Sequence, residues 1–206
     1  IGIASSGLHS NGFSLVRAIV ARAGWGWDRP VAEFGRTLGE EALEPTALYT
    51  RACLDLMARF GPAVHAFSHV TGGGLAANLA RVLPEGTDVI VHRDAWKVPP
   101  VFAVLRELGG VPWQDAERTW NLGVGMLALV DAAAAADAVA HLTAAGHPAC
   151  VIGQTEVTRP EAAGSARPAA GVLGASVAGT NVQGTRVQGT KGIHGGAVTL
   201  EGTYRV

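Results

Sequence analysis

The residues best equipped for chemistry lie in Ser5-Ser6-Gly7-Leu8-His9-Ser10-Asn11-Gly12, where three hydroxyls, an amide and an imidazole crowd one glycine-punctuated bend. Phe13, Val16, Ile19, Val20 and Ala23 follow at helical spacing, which predicts a helix over 12–23 with one buried face and Ser10 or Asn11 as its N-cap. The first turn of a helix leaves backbone N–H groups unpaired and carries partial positive charge, so a loop feeding it suits a phosphate. Gly7 and Gly12 let the backbone approach a ligand closely or adopt positive φ. The plainer reading makes the same residues ordinary caps and turn formers.

A second bend has the same plan. Val64, Ala66, Ser68 and Val70 alternate with His65, Phe67, His69 and Thr71 as in a strand, and Thr71-Gly72-Gly73-Gly74 then leads into Leu75, Leu79, Val82 and Leu83 at helical spacing. Three glycines leave their amides uncovered by side chains, which suits a phosphate or a stacked base; the plainer reading is a turn that needs positive φ. His65 and His69 would chelate a metal at this spacing on a helix, but four strand residues set them about 13 Å apart, so no two-His site is expected. Glu44, before Pro45, either orients a substrate hydroxyl or favours the positive end of the next helix. No Ser-His-Asp or Cys-His arrangement and no metal cluster is evident. Cys53 and Cys150 lack metal-site or redox spacing and read as reduced core thiols.

The elements that must hold these bends fit one domain. The 206 residues are 48% hydrophobic and 16% charged, and the net charge of -1 provides no electrostatic footprint for nucleic acid or an anionic membrane. The most apolar stretch, 126–142, is broken by Asp131 and Asp137, so nothing spans a bilayer. Loops are expected at 24–30 and 39–46. Apolar Leu48, Cys53, Leu56, Met57 and Phe60 predict a long helix over 46–59, ended by Gly61-Pro62, and a short β-branched strand is expected over 87–92. Pro99-Pro100 opens a helix that Gly109-Gly110 stops, and a short helix covers 115–121. A strand over 126–130, an alanine-rich helix over 132–145 and a strand over 149–152 complete the body. Gly123-Val124-Gly125 reads as a bend against a neighbouring strand. The expected domain is 1–158. Residues 159–195, with the near-repeat Val182-Gln183-Gly184-Thr185 and Val187-Gln188-Gly189-Thr190, read as a flexible insert, and 196–206 as an edge strand returning beside 151–157. Interleaved strands and helices indicate an α/β (α+β) fold, a mixed β-sheet packed with helices. The opening Ile1-Gly2-Ile3-Ala4 reads as an internal start.

The string from Ser5 to Arg17 resembles the opening of the C-terminal domain of the phosphoribosylformylglycinamidine cyclo-ligases, the aminoimidazole ribonucleotide synthetases of purine biosynthesis. The resemblance recurs in order at Leu43-Glu44-Pro45-Thr46, at His69-Val70-Thr71-Gly72-Gly73-Gly74-Leu75, at Trp96-Lys97-Val98-Pro99-Pro100-Val101-Phe102 and at Asn121-Leu122-Gly123-Val124-Gly125-Met126. It implies a cytoplasmic enzyme that closes formylglycinamidine ribonucleotide to aminoimidazole ribonucleotide with ATP. It further implies that ATP and Mg2+ are held mainly by an N-terminal domain absent from this chain, that the full-length enzyme is a homodimer, and that this chain alone is inactive. On that footing Ser6, Gly7, Ser10, Asn11 and Gly12 hold phosphate or ribose. His9, near 6.5 if unperturbed, hydrogen-bonds the reacting phosphoryl or carbonyl oxygen, and Thr71, Gly72, Gly73 and Gly74 line the same cleft. The rivals are another ATP-dependent member of the superfamily, such as formylglycinamidine ribonucleotide synthetase or selenophosphate synthetase, and a non-catalytic binding or assembly module.

Overall fold

The computed structural model describes residues 1–157, 185–188 and 196–206. In chain order the elements are β1 (Gly2–Ala4), α1 (Phe13–Arg22), β2 (Pro30–Val31), β3 (Arg36–Thr37), α2 (Leu38–Ala42), α3 (Thr50–Phe60), β4 (Val64–His69), α4 (Gly74–Ala80), β5 (Thr87–His92), α5 (Pro100–Gly109), α6 (Trp113–Thr119), β6 (Val124–Val130), α7 (Ala135–Ala144), β7 (Ala149–Cys150), β8 (Gly153–Val157), β9 (Thr185–Gln188) and β10 (Ala197–Glu201). The α/β class holds, with the main strands divided over two sheets. One has the order β4-β6-β1-β7 and the other β8-β5-β10-β9, while β2 and β3 form a separate ribbon. The first sheet is antiparallel throughout; the second is mixed, because β5 and β10 run parallel.

Period-2 alternation explains how the first sheet is covered on both faces. Ile3 and Ala128 join Tyr49, Leu56 and Leu142 under α3 and α7. Leu127 points the other way, toward Leu79, Val89, Val91, Val198 and Leu200 of the second sheet and α4. A third core of Val16, Ile19, Phe102, Leu105 and Trp120 binds α1, α5 and α6. Arg93 and Glu117 cross-link α6 to β10 inside the protein: Arg93 Nε donates to Glu117 Oε1 at 2.6 Å, and Arg93 Nη1 donates to the Leu200 carbonyl at 2.7 Å.

Four expectations shift. The 39–46 connector contains α2, because Thr37 and Glu40 form a reciprocal capping box that nucleates a turn of helix. The 46–59 helix starts four residues late, at Thr50. Tyr49 is buried instead of Leu48 and Met57, which are 84% and 51% exposed. The 115–121 helix is shifted toward Pro112, whose extended backbone serves as its N-cap. The terminal strand does return, but β10 lies between β5 and β9 rather than at an edge beside 151–157, since β8 occupies the other side of β5. Within the proposed 159–195 insert, residues 185–188 form strand β9; the rest of that insert lies outside the described residues.

Candidate functional site

The 5–12 loop leaves the end of β1 and is fastened by one buried side chain, Asn121, which is 2% exposed. Its Nδ2 donates to the carbonyls of Gly7 at 2.8 Å and Leu8 at 3.3 Å. Its Oδ1 accepts from the Ser5 hydroxyl at 2.9 Å and the Gly123 amide at 2.8 Å. All of its hydrogen-bonding groups are thereby used to tie the loop to the start of β6. Ser6 spends its hydroxyl proton on the Pro45 carbonyl at 2.6 Å, so only its lone pairs face a ligand. The N-cap of α1 is Gly12, not Ser10 or Asn11, and no side chain caps the helix. Gly12 turns the chain with φ +74, and a Cβ there would run into Trp120 and Thr119. The first intrahelical amide is that of Val16, bonded to the Gly12 carbonyl at 3.1 Å, which leaves the amides ahead of it without intrahelical partners.

His9 is 5% exposed and sits in left-handed backbone at φ +57, a strain of about 1–2 kcal/mol for a side chain of this kind. Its Nε2 accepts from the Ser6 amide at 3.2 Å and the Ala47 amide at 3.4 Å. An accepting Nε2 places the proton on Nδ1, and that buried Nδ1 has no partner. Burial first, and electrostatic interaction with the neighbouring His69 second, lower the His9 pKa below its ordinary value. At neutral pH it is therefore an uncharged donor. Tyr49 stands between the two histidines, its ring centroid 6.1 Å from each, and its hydroxyl donates to the Ala4 carbonyl at 2.7 Å. Gly125 makes this packing possible, because a Cβ there would overlap the Tyr49 hydroxyl and stand 2.6 Å from His9 Cε1.

Both turns pack against the C-terminal end of α6 and the residue that follows it. A Cβ on Gly12 would touch Thr119 and Trp120, and one on Gly74 would collide with the carbonyl of Glu117. Gly72 and Gly73 are exposed. Asn78 holds the turn from below, donating to the carbonyls of Thr71 at 3.2 Å, Gly72 at 3.3 Å and Gly74 at 2.7 Å. Its Oδ1 accepts from Thr71 Oγ1 and Arg81 Nη1, both at 3.0 Å. The guanidinium is thus anchored beside the turn, with Nη2 3.9 Å from where a Gly73 Cβ would stand. Thr71 spends its hydroxyl proton on Asn78, so this turn presents glycine backbone and a cation.

Glu44 lies against the first loop, with Cβ 3.8 Å from the position of a Gly7 Cβ. Arg36 pairs with Glu44 at 2.6 Å and Glu41 at 2.7 Å, leaving one net negative charge at the Gly7 end. That end suits hydroxyls, and the Gly12 end suits anions. A cavity of about 580 Å³ lies elsewhere, between the sheets; its walls include Leu79, Val89, Leu127 and Ile152 and carry no charged side chain to hold a nucleotide. His65 and His69 occupy one strand, and His65 pairs with Asp131 at 2.7 Å. Among the described residues no three His, Cys, Asp or Glu converge as metal ligands, and no helix is long and apolar enough to cross a membrane.

The lowered pKa of His9 has a testable consequence for stability. Between the unfolded-state value near 6.5 and the lower folded value, the unfolded chain binds the proton more readily, so stability is fullest above about pH 6.5 and declines as pH falls toward the folded value. In urea unfolding from about pH 7.5 down to about pH 5, wild type is expected to lose more stability than His9→Asn, which tolerates the left-handed backbone. Parallel profiles would remove His9 as the cause.

Asn121, Tyr49, Asn78 and Arg81 are the positioning residues that sequence reasoning passed over. Asn121 had a signal, since it opens a glycine-rich string, but nothing local reveals that its amide reaches a loop more than a hundred residues away.

The chain resembles several cyclo-ligases. It is 50% identical over 155 residues to a protein of Streptomyces fradiae provisionally named phosphoribosylformylglycinamidine cyclo-ligase, covering 75% of this chain and 84% of that one. It is 44% identical over 164 residues to the phosphoribosylformylglycinamidine cyclo-ligase of Symbiobacterium thermophilum, covering 78% of this chain and 46% of the relative. For the Burkholderia lata enzyme of that name the figures are 45% over 159 residues, 77% and 44%. The chain thus spans less than half the length of these last two relatives. Residues 1–163 match the model of the AIR synthase related protein, C-terminal domain, and the chain belongs to that family.

Proposed function

We propose that this chain is the C-terminal portion of an ATP-dependent phosphoribosylformylglycinamidine cyclo-ligase acting in the cytoplasm, binding formylglycinamidine ribonucleotide for ring closure to aminoimidazole ribonucleotide. The observation that carries the reading is that the 5–12 loop and the 71–74 turn both pack against the C-terminal end of α6, and that the first of them holds a buried histidine whose Nδ1 has no partner. In this reading Ser6, Gly7, Ser10, Asn11 and Gly12 hold the ribose and its phosphate, with Glu44 at the hydroxyl end. Thr71, Gly72, Gly73 and Gly74 line the opposite wall with Arg81. Free amides beside Gly12 and an anchored guanidinium beside Gly73 suit phosphate groups. The described residues offer no ligand set for Mg2+, which is assigned with most of the ATP site to an N-terminal domain; the complete enzyme is read as a homodimer. When bound, ATP supplies the phosphoryl that makes the amide oxygen a leaving group as the ribosyl nitrogen closes the ring, releasing ADP and phosphate. His9 contributes an Nδ1–H toward the oxygen that gains charge, and the surrounding burial makes that dipole effective.

Calorimetry with formylglycinamidine ribonucleotide tests the assignment. Saturable binding to the chain is expected, weakened roughly tenfold by His9→Asn, the size of one hydrogen bond of about 1.4 kcal/mol. Wild-type affinity in the variant would remove His9 from the site. No ADP release is expected from this chain alone.

A further inference from the structure

The N-terminus of α1 carries three features that folding alone leaves unbalanced. The first is Trp120: the side chain is fully buried, its indole N–H has no partner, and Nε1 lies 2.6 Å from the place a Gly12 Cβ would take. A buried donor left unpaired destabilises the protein, so its retention in a tightly packed core calls for a reason. The second is Arg17. Its guanidinium leans back over the ring of Phe13, the first helical residue, at 5.8 Å from the centroid. Among the described residues it has no carboxylate within salt-bridge distance. The third is the helix itself, ten residues long, uncapped by any side chain and with no acidic residue in its first turn. A cation beside the positive end of a helix is repelled unless an anion sits between them.

We propose that these groups form the subsite for a phosphate monoester dianion, with Trp120 as its buried donor, the Phe13 and Ser14 amides as backbone donors and Arg17 as its counter-charge. The assignment rests on the ribonucleotide reading above and goes beyond it by adding Trp120 and Arg17, which that reading does not use, as groups that hold the phosphate. The phosphate takes the Gly12 end, so the ribose hydroxyls point toward Glu44. The indole Nε1 faces Gly12, lying 2.6 Å from the place a Cβ would take, so only a glycine leaves room beside this edge of the ring.

Two variants separate the site from mere packing. Trp120→Phe keeps an aromatic ring but removes the pyrrole portion together with its N–H; Arg17→Gln removes the charge on an exposed helix face. Each is titrated with ribose 5-phosphate, inorganic phosphate and the complete ribonucleotide, while the indole proton of Trp120, identified by its loss in the Phe variant, is followed by NMR. In wild type, ribose 5-phosphate is expected to move that resonance. Trp120→Phe, less stable because the smaller ring leaves a cavity, should weaken its binding about tenfold under conditions where it is folded, and Arg17→Gln should weaken it severalfold and flatten the salt dependence. Unchanged affinity in Trp120→Phe, or a resonance that stays still while ligand saturates, overturns the subsite even if the ribonucleotide still binds. Absence of saturable binding of all three ligands to wild type would overturn both the subsite and the ribonucleotide reading.

Discussion

Replacing Glu117 with Ala is expected to lower unfolding stability by about 3–5 kcal/mol, the usual consequence of leaving one member of a buried ion pair behind. The Arg93 and Glu117 side chains are 1% and 5% exposed, and the guanidinium meets the carboxylate through two bonds, Nε to Oε1 at 2.6 Å and Nη2 to Oε2 at 3.2 Å. Without the carboxylate, Arg93 keeps the Leu200 carbonyl, but its charge stays in a medium that solvates it poorly. Tyr204 packs on the same guanidinium at 5.8 Å, and its own hydroxyl is pushed well above the ordinary tyrosine pKa, by burial first and by Glu117 second. The pair is more a device for placing α6 than a source of net stability. Arg93→Met combined with Glu117→Leu should therefore recover most of the loss in urea unfolding, whereas additive losses would show that the two side chains act independently. Because α6 forms the wall on which both glycine turns rest, Glu117→Ala should also weaken ribose 5-phosphate binding under conditions where the variant remains folded.

Asn121→Leu is the second large effect, and it acts on the loop directly. The substitution conserves approximate volume but leaves the Ser5 hydroxyl, the Gly7 and Leu8 carbonyls and the Gly123 amide without the partner they share. With unpaired buried groups costing about 1–3 kcal/mol each and water relieving the least buried of them, a loss of roughly 3 kcal/mol is expected. The informative readout is local. Amide exchange in the 5–12 loop should accelerate far more than exchange in β5 or β10, because those strands belong to a different hydrogen-bonded sheet. Uniform acceleration would mean that Asn121 supports the whole fold rather than holding one loop.

Most of the local architecture was legible in the sequence because its signals are local. A run of β-branched residues marks β5, which extends over Thr87–His92 as expected, and glycine and proline mark element ends: Pro100 opens α5 while Gly110 closes it in left-handed conformation. The two strand-turn-helix units were visible for the same reason. Where two apolar stripes competed, the pattern misled. Leu48, Cys53, Leu56 and Met57 fit one long helix, yet Tyr49 is the residue drawn inward, because a carbonyl acceptor at Ala4 and the open space over Gly125 await its hydroxyl.

Residue types and spacing by themselves determined that two glycine turns each feed a helix, that His9 belongs to the first of them, and that the chain resembles one enzyme family. Only the tertiary structure decided that both turns lean on the same end of α6, that Gly12 rather than Ser10 or Asn11 starts α1, and that β10 inserts beside β5. It also decided the state of His9 and the isolation of the Trp120 N–H. Those facts depend on contacts between residues far apart in sequence, where burial removes water as the alternative hydrogen-bonding partner, and no local pattern of side chains encodes which distant group takes water's place.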